Sequence, residues 1–200
     1  MGSNKSRDQK EIVMIKAYNE SEVISRLQHP DTCRQAFEQL VRHYSTPLYW
    51  QIRRMVLNHD DTDDLLQNTF IKAWTGLQNF RGDSSLSTWL YRIAMNECLN
   101  FLTRRREMLS MDDEEVQRVV MNRLDEDPWF DGDQAERALQ QAILTLPEKQ
   151  RMVFNLRYFD EMGYEEMSRV LDTSVGALKA SYHHAVKKIE QYVGELDTTD

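Results

Sequence analysis

Two cysteines, Cys33 and Cys98, are all that the 200 residues hold. They stand far apart with no CxxC and no Cys/His ligand cluster, which argues against a disulfide framework and a zinc site. Each is expected to be a small buried hydrophobe. Seven glycines and four prolines mark few turns, and long alternating β-branched runs are missing, so no βαβ unit is expected. No window approaches the roughly 18 consecutive apolar residues of a membrane helix, and the opening MGSNKSRDQK lacks the apolar core of a secretory signal. A cytoplasmic protein without direct membrane insertion is the expectation. A phosphate loop, a nucleophile elbow and an HExxH motif are all absent, so no catalytic residues, no metal and no cofactor are expected, and the chain is not expected to be an enzyme. Its length suits one or two small domains rather than a barrel.

What is present is charge, unevenly placed. The net charge is −8, yet Glu107 to Glu136 alone carries eleven acids against Arg118 and Arg123, a local net of −9. Met1 to Arg106 is net +3 and Arg137 to Asp200 net −2. A composition shift of this kind, with the turn-forming DPWFDGD near its end, marks a linker between two folded units, whether or not it does more than keep the chain soluble. Bulk electrostatics therefore give no case for nucleic-acid binding, which has to come from local patches.

Apolar residues recur at three and four positions throughout, the pattern of amphipathic helices packed on one another, so the expected fold is all-α. From Asp63 to Leu77, the spacing predicts Leu66, Phe70, Ala73 and Leu77 on one buried face, with Asp64, Gln67, Asn68 and Lys72 on the other. From Leu86 to Phe101 the predicted buried line is Leu86, Trp89, Leu90, Ile93, Ala94 and Phe101. Thr88, Arg92, Asn96 and Asn100 share the opposite face. Between the two helices, Asn79 to Ser85 is expected to be a loop in which Gly82 turns and Ser84 or Ser85 caps the next helix. Arg104, Arg105 and Arg106 close that helix with positive charge, favourable at a C-terminus as well as for phosphate.

In the C-terminal block, Leu146-Pro147-Glu148 opens a helix through Arg151, Val153, Phe154 and Leu156 toward Asp160, which Met162-Gly163 breaks. Tyr164 to Leu171 is a short amphipathic helix. Asp172-Thr173-Ser174 turns and caps a longer helix from Val175 to about Val193, with Leu178, Tyr182, Val186, Ile189 and Val193 as its apolar stripe. Lys179, His183 and Lys187 recur at four-residue spacing on its surface. Short helix, tight turn and longer helix with exposed bases is the helix-turn-helix layout, which places its second helix in the major groove but also occurs as plain packing.

These residues resemble a known family. Asp63-Asp64-Leu65-Leu66-Gln67-Asn68-Thr69-Phe70-Ile71-Lys72-Ala73-Trp74, then Phe80-Arg81-Gly82-Asp83 and Thr88-Trp89-Leu90-Tyr91-Arg92-Ile93-Ala94, are similar to region two of the extracytoplasmic-function (ECF) RNA polymerase sigma factors. Leu146-Pro147, Tyr164-Glu165-Glu166-Met167 and Ser174-Val175-Gly176-Ala177-Leu178-Lys179 resemble their region four. The resemblance implies a dissociable specificity subunit that binds bacterial core RNA polymerase, recognises two promoter DNA elements, helps open the duplex and is later released. It implies two helical domains: an N-terminal extension over 1–24, region two over 25–106, the acidic linker over 107–133, region four over 134–194 and a tail over 195–200.

The resemblance places core-polymerase binding on Asp63, Asp64, Gln67 and Asn68, where Asn68 stands in place of a frequent Glu. It places an extruded base of the minus-ten element in a pocket formed by Phe80, Arg81, Gly82, Asp83 and Ser84, with Asn96 contacting it. Arg92, Asn100, Arg104, Arg105 and Arg106 are candidates for the phosphates, which position without specifying sequence. Phe80 is either a stacking surface or a satellite of the core, and Trp89 falls on the core line. For the minus-thirty-five element the candidates are Ser174, Lys179, Ala180, His183, His184 and Lys187. The histidines leave base preference open, because imidazole meets base acceptors or phosphate alike. The linker, by family habit, threads the RNA exit path of the polymerase, where its carboxylates mimic nucleic-acid charge, and an anti-sigma protein is a further implied partner. A stand-alone helix-turn-helix regulator is the rival reading. It accounts for the C-terminal block and leaves the patterned N-terminal block without a task.

Overall fold

A computed structural model of the chain describes residues 18–80, 82, 84–109 and 134–197. Most of the acidic segment, together with Arg81 and Asp83 of the expected loop, lies outside the described residues. Eight α-helices occur among the described residues: α1 Glu20–Leu27, α2 Pro30–Val56, α3 His59–Gly76, α4 Leu86–Leu109, α5 Gln134–Leu144, α6 Glu148–Tyr158, α7 Tyr164–Leu171 and α8 Val175–Asp197. A 3₁₀ turn, Leu77–Asn79, follows α3. The described residues contain no strand, and the all-α expectation holds.

The chain divides into two compact units, one ending at Tyr44 and one starting at Ser45. In the first, Asn19 caps α1 by accepting the Glu22 N–H at 3.2 Å. Pro30 opens α2, where its missing N–H costs nothing. Val23, Ala36, Leu40 and Tyr44 are buried, and the Tyr44 hydroxyl donates to Glu20 at 3.2 Å. Burial, then the neighbouring Tyr18 and Glu20, push the Tyr44 phenol well above its usual range.

The second unit begins inside α2, where Leu48, Ile52, Met55 and Val56 are buried. Leu57 turns the chain with φ of 60°, a left-handed conformation unusual for a leucine, and its side chain is buried. Asn58 then caps α3, its Oδ1 accepting the Asp61 N–H at 2.8 Å.

The buried face of α3 is rotated by one residue from the expected one. Thr62, Leu65, Thr69 and Ala73 are buried, while Leu66, Phe70 and Leu77 are half-buried. The threonines fit because their hydroxyls bond the carbonyls one turn back, Thr62 to Asn58 at 2.6 Å and Thr69 to Leu65 at 2.7 Å. With the hydroxyl returned to its own helix, each threonine meets the core as a methyl group.

In α4 the expected line is kept at Leu86, Leu90 and Ala94 and extended by Tyr91, Met95 and Cys98, all buried. Trp89, Ile93 and Phe101 are half-buried. Thr88, expected on the outer face, is 2 % exposed. Its hydroxyl pairs with Ser85 at 2.8 Å, and Ser85 Oγ accepts the Thr88 N–H at 3.0 Å, so Ser85 caps α4. Cys33 is half-buried rather than buried, whereas Cys98 is buried as expected. Burial, then the nearby Glu97, push the Cys98 thiol up to about 12. Only the thiolate alkylates, so iodoacetamide at pH 8 is expected to label Cys33 in the folded chain. Cys98 should become labelled only after denaturation, a difference that mass spectrometry of tryptic peptides reads directly.

Helices α5, α6 and α8 enclose a core of Ala142, Ile143, Leu146, Phe154, Ala185 and Ile189. Phe154 stacks on Tyr158 and Tyr182, with ring centroids 5.1 and 5.7 Å away. Helices α7 and α8 begin and end as the punctuation predicts at Tyr164, Leu171 and Val175. Asp172 makes the turn with φ of 49°. Ser174 Oγ accepts the Ala177 N–H at 3.3 Å, and Met167, Val170 and Leu178 are buried.

Candidate functional site

The outer side of α3 presents the first group of candidates. Helix α3 buries residues four apart from Thr62 to Ala73, and this turns Asp63, Asp64, Gln67 and Asn68 to the exposed side. Asp63 lies 3.5 Å from His59 one turn earlier. Asp64, Gln67 and Asn68 are neighbours at three and four residues. The same exposed side continues into two apolar residues, Ile71 and Trp74, which are 54 % and 45 % exposed.

Helix α4 carries the second group. Leu90 and Ala94 face inward, so Arg92, Asn96 and Asn100 face outward, as the sequence predicts. Asn96 borders a partly open cleft of about 460 Å³ lined also by Lys72, Gly76, Trp89, Ile93, Glu97 and Asn100. Phe80 tilts against Trp89 with ring centroids 4.9 Å apart. Gly76 permits this packing, because a Cβ there would sit 3.3 Å from the Trp89 ring. Gly82, with φ of 77°, turns the loop, and Ser84 is half-buried beside it. Gly76→Ala is expected to push the indole by a few tenths of an ångström and narrow the cleft, seen as a shifted Trp89 side-chain signal in NMR.

The basic candidates differ in what they already hold. Arg104 is exposed. Arg105 pairs with Asp61 at 3.1 Å and Arg106 with Glu148 at 2.8 Å. Arg92 donates from Nε at 3.0 Å, and also from Nη2, to the backbone carbonyl of Arg169. Two further contacts within this unit join α2 to the end of α6. Arg54 pairs with Asp160 at 3.3 Å and lies 4.4 Å over the Phe159 ring. Burial raises the Asp160 carboxyl, while Arg54 opposes the shift.

Helix α8 displays the third group. Ser174, Lys179, Ala180, His183, His184 and Lys187 are all exposed. The Lys179 amine lies 5.7 Å from the centroid of the Tyr164 ring. The His183 and His184 rings are 6.1 Å apart and inclined at 50°. Among the described residues no group of three His, Cys, Asp or Glu side chains is placed to hold a metal ion, and no helix is long and apolar enough to cross a membrane.

Sequence reasoning passed over Gly76 and Glu97 and gave Lys72 no task. The Lys72 amine meets the Glu97 carboxylate at 2.5 Å, joining α3 to α4 across 25 residues of sequence. No spacing within either helix could have revealed that pair.

The chain matches the family models for Sigma-70 region 2 over residues 40–108 and Sigma-70 region 4 over residues 136–189. It is 31 % identical to the RNA polymerase sigma-H factor of Pseudomonas aeruginosa over 92 % of this chain and 98 % of that protein. With the ECF RNA polymerase sigma-E factor of Escherichia coli it shares 31 % identity over 87 % of this chain and 94 % of that protein. A solved sigma factor, RpoE of Bartonella quintana in complex with the anti-sigma factor NepR, has the same fold with a TM-score of 0.62. It is 20 % identical, and the match covers 79 % of this chain and 96 % of that one. Both regions occur here in the family's order, and the named relatives are matched over nearly their whole length: the chain belongs to the extracytoplasmic-function RNA polymerase sigma factors.

Proposed function

We propose that this sigma factor docks on core RNA polymerase through the exposed side of α3, holds an extruded minus-ten base in the cleft beside Asn96, and lays α8 in the major groove of the minus-thirty-five element. The observation that carries the reading is the two-sidedness of α4. Its inner side is closed by Leu90, Ala94 and Cys98, and its outer side offers two amides and a guanidinium next to a cleft lined by the Trp89 ring. Extrusion costs a few kcal/mol of stacking and pairing, which a site must offset with hydrogen bonds and flat apolar contact. Asn96 supplies a donor and an acceptor together, and Trp89, backed by Phe80, supplies the flat surface.

Asp64, Gln67 and Asn68 offer acceptors suited to arginines on a partner helix, with Ile71 and Trp74 as apolar continuation. Lys179, His183, His184 and Lys187 face outward on the second helix of the helix-turn-helix, where base edges and phosphates are within reach. Each reader alone is weak, and tethering both to one polymerase multiplies their effect. The domain boundaries we assign are 25–106 for the core-binding and minus-ten part and 134–194 for the minus-thirty-five part. The acidic linker runs between them along the RNA exit path, and an anti-sigma protein is the regulatory partner. The chain contributes no catalysis of its own and works in the cytoplasm, where nucleotide addition belongs to the polymerase.

Transcription in vitro with purified core enzyme on a promoter library tests the reading: initiation should require both the chain and the core. Association with DNA alone, and none with core at any ionic strength, would favour an independent regulator instead. In the same assay, Arg104→Ala is expected to weaken all promoters alike and to lower the slope of log affinity against log salt by about 1, the signature of one lost phosphate contact.

A further inference from the structure

The cleft beside Asn96 has a charged wall with no assigned role. Glu97 follows Asn96 on α4 and its side chain is 14 % exposed, while Lys72 reaches it from α3 with 56 % of its side chain exposed. Glu97 Oε1 takes the Lys72 amine at 2.5 Å, and Oε2 accepts nothing from a described residue. A carboxylate beside a polyanion is unfavourable unless neutralised, and the ammonium of Lys72 supplies that neutralisation while fixing the carboxylate on the cleft wall.

We propose that Glu97, held by Lys72, is a specificity-determining residue of the minus-ten pocket and selects an extruded base carrying an exocyclic amino group against thymine. The inference rests on the sigma-factor reading of this cleft. An extruded base exposes the edge it used for pairing. Cytosine, adenine and guanine each carry an amino group on that edge, and a carboxylate accepts from such a group in a charge-assisted hydrogen bond. Thymine places a carbonyl on either side of its single N–H, so its edge turns two acceptors toward an acceptor. Asn96 alone makes no such choice, because an amide can rotate to offer either its donor or its acceptor. The carboxylate cannot, since an ionised Glu is acceptor-only.

The experiment uses the full-length chain with core polymerase on promoters that differ only in the minus-ten element. The extruded position is located by the fluorescence of a 2-aminopurine scanned through that element. The unaltered chain is expected to initiate about tenfold less well with thymine at that position than with the preferred base, a ratio within the range for reading one base edge. Glu97→Gln keeps the shape and restores a rotatable amide, and should reduce the thymine penalty to twofold or less with the other bases little changed. Glu97→Ala should likewise flatten the ranking. If both variants initiate on the preferred promoter and keep the full thymine penalty, the assignment of Glu97 is wrong while the sigma-factor reading stands. If the unaltered chain gives no core-dependent initiation on any promoter, the reading beneath it fails and takes the proposal with it.

Discussion

Asp64→Arg combined with Gln67→Arg is expected to reduce retention on core polymerase about thirtyfold or more and to lower initiation from every promoter in parallel. The two residues lie one turn apart on the exposed side of α3. Their acceptors are proposed to meet basic groups of the polymerase. Reversing the charge both removes those hydrogen bonds and sets cation against cation, a change worth about 2–5 kcal/mol at a closely paired interface. The lower figure already corresponds to about thirtyfold in affinity. Because neither side chain contributes to packing, the helical circular dichroism and the melting temperature should stay near those of the unaltered chain. Co-elution with core enzyme on a sizing column, against fluorescently labelled chain, gives the affinity. Retention unchanged by the double substitution would place the docking surface elsewhere.

The second large effect concerns stability, and it separates the two sides of α4. Leu90 is fully buried, and truncating it to Ala removes apolar contact and leaves a void, with an expected cost of about 2–5 kcal/mol. In a domain of this size such a loss lowers the melting temperature by several degrees or more. Asn96 is exposed six residues further on, and Asn96→Ala should leave stability almost unchanged. It should instead alter the ranking of promoters at the minus-ten element. Thermal denaturation and library transcription on the two variants form a cross-test: Leu90→Ala lowers the yield of active complex without reordering promoters, and Asn96→Ala reorders them. A reordering by Leu90→Ala, or a large stability loss from Asn96→Ala, would contradict the division of labour drawn for this helix.

Much of the architecture was legible before any coordinates because the helix signals are local. Pro147, Gly163, Asp172 and Ser174 delimit α6, α7 and α8, and those limits depend on caps and turns rather than on distant partners. The outward placement of Arg92, Asn96 and Asn100 follows from the same periodicity. The apolar spacing of α3 leaves out Thr62 and Thr69, because a side chain with a hydroxyl does not register as apolar. A threonine that returns its hydroxyl to its own helix is apolar toward its neighbours, and this shifts the buried face by one residue. Thr88 misleads for a related reason, its hydroxyl being occupied by the Ser85 cap. The cleft was legible only in part. Asn96 and Phe80 carry motif signals, whereas the Lys72 to Glu97 pair and the approach of Gly76 to Trp89 exist only once α3 and α4 lie side by side.

The hydrogen bonds from Arg92 to the Arg169 carbonyl bear on how this chain meets its target. A guanidinium engaged with a peptide oxygen has fewer N–H groups left for other acceptors, so in the phosphate-binding role proposed for Arg92, DNA would compete with the end of α7 for the same donors. Under that proposal part of the promoter's affinity would go into displacing an internal ligand, and a stretch of DNA too weak to displace it would be turned away.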